Sequence, residues 1–103
     1  LIARELMLAP DRADLREAQA ANSFFMGDYT DARRHLSMAG RLGTPGWRIS
    51  YHLGLIAEME GNWEQACQLY ETALEQRPDH RSSVARLAGL GDRPGCETYL
   101  RSH

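Results

Sequence analysis

Two stretches of the chain, 34 residues apart, carry the same pattern of small residues, turn residues and apolar stripes. Within residues 47–80, apolar side chains recur at intervals of three and four on both sides of a polar Gly61-Asn62 break. This spacing predicts two amphipathic helices joined by a short turn. Pro78 predicts the end of the second helix, because proline lacks an N–H and restricts the residue before it.

The same signals stand one period earlier in the chain. Gly27-Asp28 precedes Gly61-Asn62 by 34 residues, and Ala32 precedes Ala66 by the same interval. A recurrence of this length is typical of stacked helical hairpins, in which each hairpin buries its apolar face against its neighbours. We therefore expect an all-α fold.

Residues 47–80 resemble a tetratricopeptide repeat, whose pattern is W-x2-L-G-x2-Y, then A-x3-F, then P. The residues that carry the resemblance are Leu53, Gly54, Ala66, Tyr70, Ala73 and Pro78. Ser50 and Ala57 replace large aromatics of the pattern. The resemblance implies an α-solenoid of antiparallel helix pairs, stacked as a right-handed superhelix with a concave groove. Gly54 and Ala66 are expected to face each other where the helices cross, since larger side chains would separate the axes.

The resemblance predicts a single domain of about three repeats. The expected segments are 1–12, the tail of a preceding repeat; 13–46 and 47–80, two full repeats; and 81–103, a shortened terminal repeat. The last repeat is shortened because its turn, Gly91-Asp92, comes early, and its second helix is expected to begin near Pro94. The start at Leu1 favours a piece of a longer array, whose cut end would expose apolar surface for self-association.

Composition excludes several classes of partner and site. A formal charge of −2 and a pI near 6.1 do not provide the basic face that nucleic acids require. No apolar run approaches the roughly 20 residues that span a bilayer.

Cys67 and Cys96 are expected to be free, mostly buried thiols. Stacked helices lie about 8–10 Å apart, whereas a disulfide needs Cα atoms within about 7 Å.

All 12 basic residues are arginine. This usage favours a GC-rich, bacterial source, and it leaves the location open between the bacterial cytoplasm and the periplasm.

In the tetratricopeptide family, the first helix of each repeat lines the concave groove. The candidate partner-binding residues are Glu17, Phe24, Phe25, Arg48, Tyr51, His52, Leu55, Met59 and Arg86. Arg48 and Arg86 are expected to make charge contacts, and Tyr51 and Met59 apolar ones. Packing between repeats is the alternative role for the phenylalanines and for Leu55.

One subclass of the family grips a chaperone carboxylate through lysine, asparagine and arginine. The matching positions here are Glu17, Ala21, His52, Ser82 and Arg86. Arg86 alone fits that pattern, so this role is rejected.

No enzyme pattern stands out. His52 and His80 are taken as the histidines with acidic neighbours, and His52 is expected on a different helix from Cys67. Metal-ligand spacing and a phosphate-binding loop are both lacking, so neither a metal nor a cofactor is expected.

The favoured function is a non-catalytic scaffold that binds a protein or peptide segment in the groove. The alternative is a structural segment of a longer solenoid in a bacterial envelope export or assembly protein, for example an exopolysaccharide or pilus system. A third interpretation is an appendage that regulates a bound enzyme.

Overall fold

The computed structural model describes residues 11–96, and the regular structure in that range is helical. The helices are α1 (Ala13–Phe25), α2 (Tyr29–Arg41), α3 (Gly46–Met59), α4 (Trp63–Gln76) and α5 (Arg81–Leu90). No strand occurs between residues 11 and 96, and the predicted all-α fold is confirmed. The N-terminal tail was predicted at residues 1–12, and residues 1–10 of it, with the predicted self-association surface, lie outside the described residues.

The chain divides into two compact units, Leu1–Thr44 and Pro45–His103, here called unit 1 and unit 2. In unit 1, α1 packs against α2. In unit 2, α4 packs against both α3 and α5. Adjacent helices therefore pair as hairpins, which is the packing expected of a tetratricopeptide-like helical repeat.

The turns inside the two hairpins have the same geometry. Gly27 and Gly61 adopt positive φ angles of 80° and 79°. The next residue in each turn donates its N–H to a carbonyl five residues earlier, Asp28 to Ser23 and Asn62 to Ala57, at 2.9 Å in both cases. Glycine tolerates this left-handed conformation without steric cost, which is why helices so often end on it. The backbone conformation of the turn therefore recurs at the same 34-residue interval as the sequence pattern.

Unit 1 is held together by small buried side chains and by a polar cluster between its helices. Ala20 of α1 and Ala32, Leu36 and Ala39 of α2 are buried. Beside them the Ser23 hydroxyl donates to Asp31 Oδ2 at 2.8 Å, and His35 Nε2 lies 3.2 Å from the same oxygen. Arg34 pairs with the other oxygen of Asp31.

Asp31 should make unit 1 sensitive to acid. The hydrogen bond from Ser23, followed by the nearby Arg34 and His35, lowers the pKa of Asp31 below its ordinary value. The carboxylate therefore contributes its full stabilisation above the ordinary aspartate pKa of about 4, and loses it as pH falls through the lower pKa of the folded state.

Unfolding followed by circular dichroism across this range should show Asp31→Asn less stable than the wild type at neutral pH. The variant's stability should fall less steeply in acid. Asp92→Asn, at an exposed position, should follow the wild-type profile, and identical profiles for all three proteins would contradict the assignment.

The core of unit 2 is centred on Tyr70 of α4. Its side chain is fully buried with Ala57, Ala66, Cys67 and Leu87. A Cβ atom added at Gly54 would lie only 2.5 Å from the Tyr70 ring. Glycine is therefore needed at position 54 of α3 to admit the Tyr70 ring. The predicted approach of Gly54 to Ala66 stays a prediction.

The segment after α5 departs from the prediction. Residues 91–96 form turns, and Gly95 has a φ of 87°. The predicted helix start at Pro94 is therefore wrong, because a positive φ one residue later cannot continue a right-handed helix. Residues 97–103 lie outside the described residues.

Cys67 and Cys96 are joined by a disulfide, with their Cα atoms 5.7 Å apart. The prediction of buried cysteines is confirmed, since each is 1% exposed, but the prediction that they are free thiols is wrong. That prediction used the spacing of two stacked helices. Cys96 lies instead in a turn, and a turn can approach α4 more closely than a helix can.

Candidate functional site

The candidate binding residues fall on the first helix of each of the two hairpins and on α5. In unit 2, α3 carries Arg48, Tyr51, His52, Leu55 and Met59, and α5 carries Arg86; in unit 1, α1 carries Glu17, Phe24 and Phe25. The structure places these side chains in different environments, which include ring clusters, an ion pair, the apolar core and open surface.

Tyr51 belongs to a cluster of rings rather than to an open surface. Its ring centroid lies 4.8 Å from that of His80 and 5.8 Å from that of buried Tyr70. His80 also packs against Trp47 at 4.8 Å, and its Nδ1 lies 2.7 Å from the hydroxyl of Ser83. Ring pairs at these distances contribute to stability beyond the area they bury. Tyr51 is thus half-buried and supports the connection between α3 and the start of α5. His52 is half-buried beside it, with ring centroids 5.5 Å apart.

Arg86 is engaged with Glu58, which joins α5 to α3. Glu58 Oε2 lies 3.3 Å from Arg86 Nη1, and Glu58 Oε1 accepts a hydrogen bond from the Tyr70 hydroxyl at 2.9 Å. Burial, and then the Glu58 carboxylate, raise the pKa of Tyr70, so the phenol stays protonated as a donor. The Arg86 side chain remains 48% exposed in this pair.

Leu55 is half-buried and packs against the core of unit 2, whereas Met59 at the end of α3 is 61% exposed. The first helix of unit 1 likewise carries one half-buried and one exposed large apolar side chain near its end. Phe24 is half-buried, with its ring 5.8 Å from that of Tyr29, while Phe25 is 84% exposed. Phe25 and Met59 stand 34 residues apart. Each hairpin therefore presents one large apolar side chain at the same position of its first helix.

The remaining two candidates are polar. Glu17 of α1 is half-buried and accepts a hydrogen bond from the Thr44 hydroxyl at 2.9 Å, which ties α1 to the end of unit 1. Arg48 lies exposed near the start of α3.

A family model described as the tetratricopeptide repeat matches residues 47–80. This segment is a tetratricopeptide repeat. The match covers α3, α4 and the turn between them, and it confirms the resemblance seen in the sequence. Comparison with curated proteins and with solved structures returned no match.

Tetratricopeptide repeats are typically non-catalytic modules that bind other proteins. The repeat therefore indicates an interaction scaffold and a protein partner. Within residues 11–96, no helix is both long enough and apolar enough to cross a membrane. Nor does this part of the chain bring together three His, Cys, Asp or Glu side chains that could hold a metal ion.

The cluster of Ser23, Asp31 and His35 was missed from the sequence, where only His52 and His80 were credited with acidic neighbours. Asp31 and His35 are four residues apart on α2, and this spacing places them on one face of the helix. The cluster lacks the order that nucleophilic catalysis requires, because Ser23 donates to the carboxylate and not to the imidazole. Its role in the tetratricopeptide-like hairpin of unit 1 is to join α1 to α2.

Proposed function

We propose that the chain is a non-catalytic scaffold that binds an extended or helical segment of a partner protein in the concave groove of a tetratricopeptide array. The observation that carries the proposal is the pair Phe25 and Met59. Both are large, apolar and mostly exposed, and they occupy the same position of successive repeats. Exposing such a side chain once is common, but exposing one at a repeated position favours a shared role in binding.

The chemistry of the surface favours an apolar partner segment with a charged margin. Methionine is flexible and adapts to irregular apolar surfaces, and aromatic side chains are enriched where proteins bind each other. Arg48 adds an exposed cation on the same helix as Met59. Arg86 of α5 is a second cation in this proposal, and it pairs with Glu58.

The variant Phe25→Ala/Met59→Ala should lose partner binding while it keeps its fold. Each replacement should weaken binding by about tenfold, as for apolar anchors at protein interfaces. Because both side chains are exposed, the melting temperature should change little. The wild-type and variant chains would be used as bait in a lysate of the source organism, and the captured proteins quantified by mass spectrometry.

Met26→Ala is the matched control. Met26 is 76% exposed and adjoins Phe25, but it lies outside the predicted groove. It should leave binding unchanged. Equal losses for Met26→Ala and for the double variant would indicate general apolar adhesion. A partner retained by both would place the binding surface elsewhere on the chain.

Tyr51→Ala is not used, because Tyr51 packs against Tyr70 and His80 and its loss would also disturb folding.

The second candidate function is a structural segment of a longer solenoid, for instance in a bacterial envelope export or assembly protein. Phe25 and Met26 favour it, since the apolar surface they expose could be covered by further repeats instead of a partner. A longer native chain in which both side chains become protected from oxidative surface labelling, with no partner captured, would support this candidate.

A further inference from the structure

The turn that follows α5 is fixed against the first turns of α4 by three neighbouring contacts. The guanidinium of Arg93 lies 4.5 Å from the centre of the Trp63 ring. A Cβ atom at Gly95 would lie 2.6 Å from the Cβ of Glu64 and 3.2 Å from its Cα. The Cys67–Cys96 disulfide is the third contact. Two of the three are non-covalent, so packing as well as the covalent bond holds the turn against α4.

We propose that unit 2 matures by oxidation and that the protein works in an oxidising compartment, such as a bacterial periplasm. Disulfides form and persist in such compartments and are rare where cellular thiols keep cysteines reduced. The two cysteines lie where the packed turn presents one to the other, at a Cα separation within the range that a disulfide spans. This inference concerns compartment and maturation, and it does not depend on the proposed function.

The oxidation is a thiol–disulfide exchange with a protein disulfide donor. The thiolate of one cysteine attacks the donor disulfide and forms a mixed disulfide, releasing one donor thiol. The second cysteine thiolate then attacks the sulfur of the first, and the second donor thiol leaves. Two cysteine thiols are oxidised to one disulfide, the donor disulfide is reduced to two thiols, and two protons and two electrons pass to the donor.

Burial makes this bond a structural lock and not a catalytic disulfide. Each cysteine is 1% exposed, so a reductant reaches the sulfurs only when the turn opens. Reactive disulfides, in contrast, are exposed to their exchange partners. The lock holds the turn to α4 across a sequence separation of 29 residues, and this limits the conformations of the unfolded chain.

The first test is the oxidation state of the protein in its own cells. Cells are quenched in acid, the protein is denatured, and free thiols are alkylated before and after reduction. We expect no label before reduction and two labels after it. Two labelled thiols before reduction would overturn the proposal.

The second test measures the lock itself on the purified wild-type chain. Dithiothreitol should leave the disulfide intact in the native protein and reduce it when a denaturant is added. The reduced protein should melt about 10 °C or more below the oxidised one. The variant Cys67→Ser/Cys96→Ser should melt at one temperature with or without dithiothreitol. Equal melting temperatures for the oxidised and the reduced wild type would show that the disulfide does not stabilise the fold.

Discussion

Replacing Tyr70 with alanine is expected to lower the free energy of unfolding by about 3–5 kcal/mol, the range seen when a buried aromatic side chain is truncated. Tyr70 is completely buried at the centre of unit 2, where it contacts α3 through Gly54 and accompanies Leu87 of α5 in the core. Its removal leaves a cavity between three helices that a small unit cannot close. Denaturant unfolding of the oxidised chain, followed by circular dichroism, measures the loss.

Tyr70→Phe separates the ring from the hydroxyl. The phenylalanine keeps the packing but removes the 2.9 Å hydrogen bond to Glu58, and the expected cost is about 1–3 kcal/mol for a bond to a charged acceptor. Glu58 keeps Arg86 as its partner. If the alanine and phenylalanine variants were equally stable, the ring would contribute nothing and the core would be centred elsewhere.

Gly54→Ala is expected to destabilise unit 2 by about 1–3 kcal/mol through overpacking. The added methyl carbon would lie 2.5 Å from Cε1 and 2.8 Å from Cδ1 of the Tyr70 ring. A fully buried ring cannot move aside without disturbing the helices that hold it. The clash should outweigh the gain in helix propensity of up to about 1 kcal/mol that alanine normally brings. The measurement is the midpoint of denaturant unfolding.

Gly89→Ala is the matched control, since Gly89 also lies inside a helix but nothing lies within 4 Å of an added Cβ. This variant should be more stable than the wild type by about 0.5–1 kcal/mol. A double-mutant cycle adds a further test. In Tyr70→Leu, a smaller side chain leaves room for the methyl group, so Gly54→Ala should cost less there than in the wild type. Additive effects would show that Gly54 and Tyr70 do not interact.

Much of the helical architecture could be predicted from the sequence, because its determinants are local. Apolar periodicity predicted helices on both sides of Gly61-Asn62, and the hairpin turns fall at Gly27 and Gly61, where only a residue tolerant of positive φ fits easily. Pro78 was predicted to end the second helix, and α4 ends at Gln76, two residues before it. Such signals act within a few residues, so no tertiary contact is needed to interpret them.

The long-range contacts could not be predicted, because they depend on where a turn or a side chain lies in space. The disulfide was missed since Cys96 was assigned to a helix, and the turn at Gly95 brings it to α4 instead. The pairing of Arg86 with Glu58 spans 28 positions of sequence. The resemblance to the family predicts that the first helices form the binding face. It does not show that Met59 is exposed and that Tyr51 packs against other rings.

The bond between Cys67 and Cys96 closes a covalent ring that contains most of α4 and all of α5. The exposed segment 77–79, which joins these helices, lies inside the ring. Exposed connections of this kind are the usual places for proteases to cut. A single cut there would leave both pieces attached through sulfur, and α5 would stay beside α4. In surroundings rich in proteases, the chain could therefore be nicked at its most accessible connection without losing a helix.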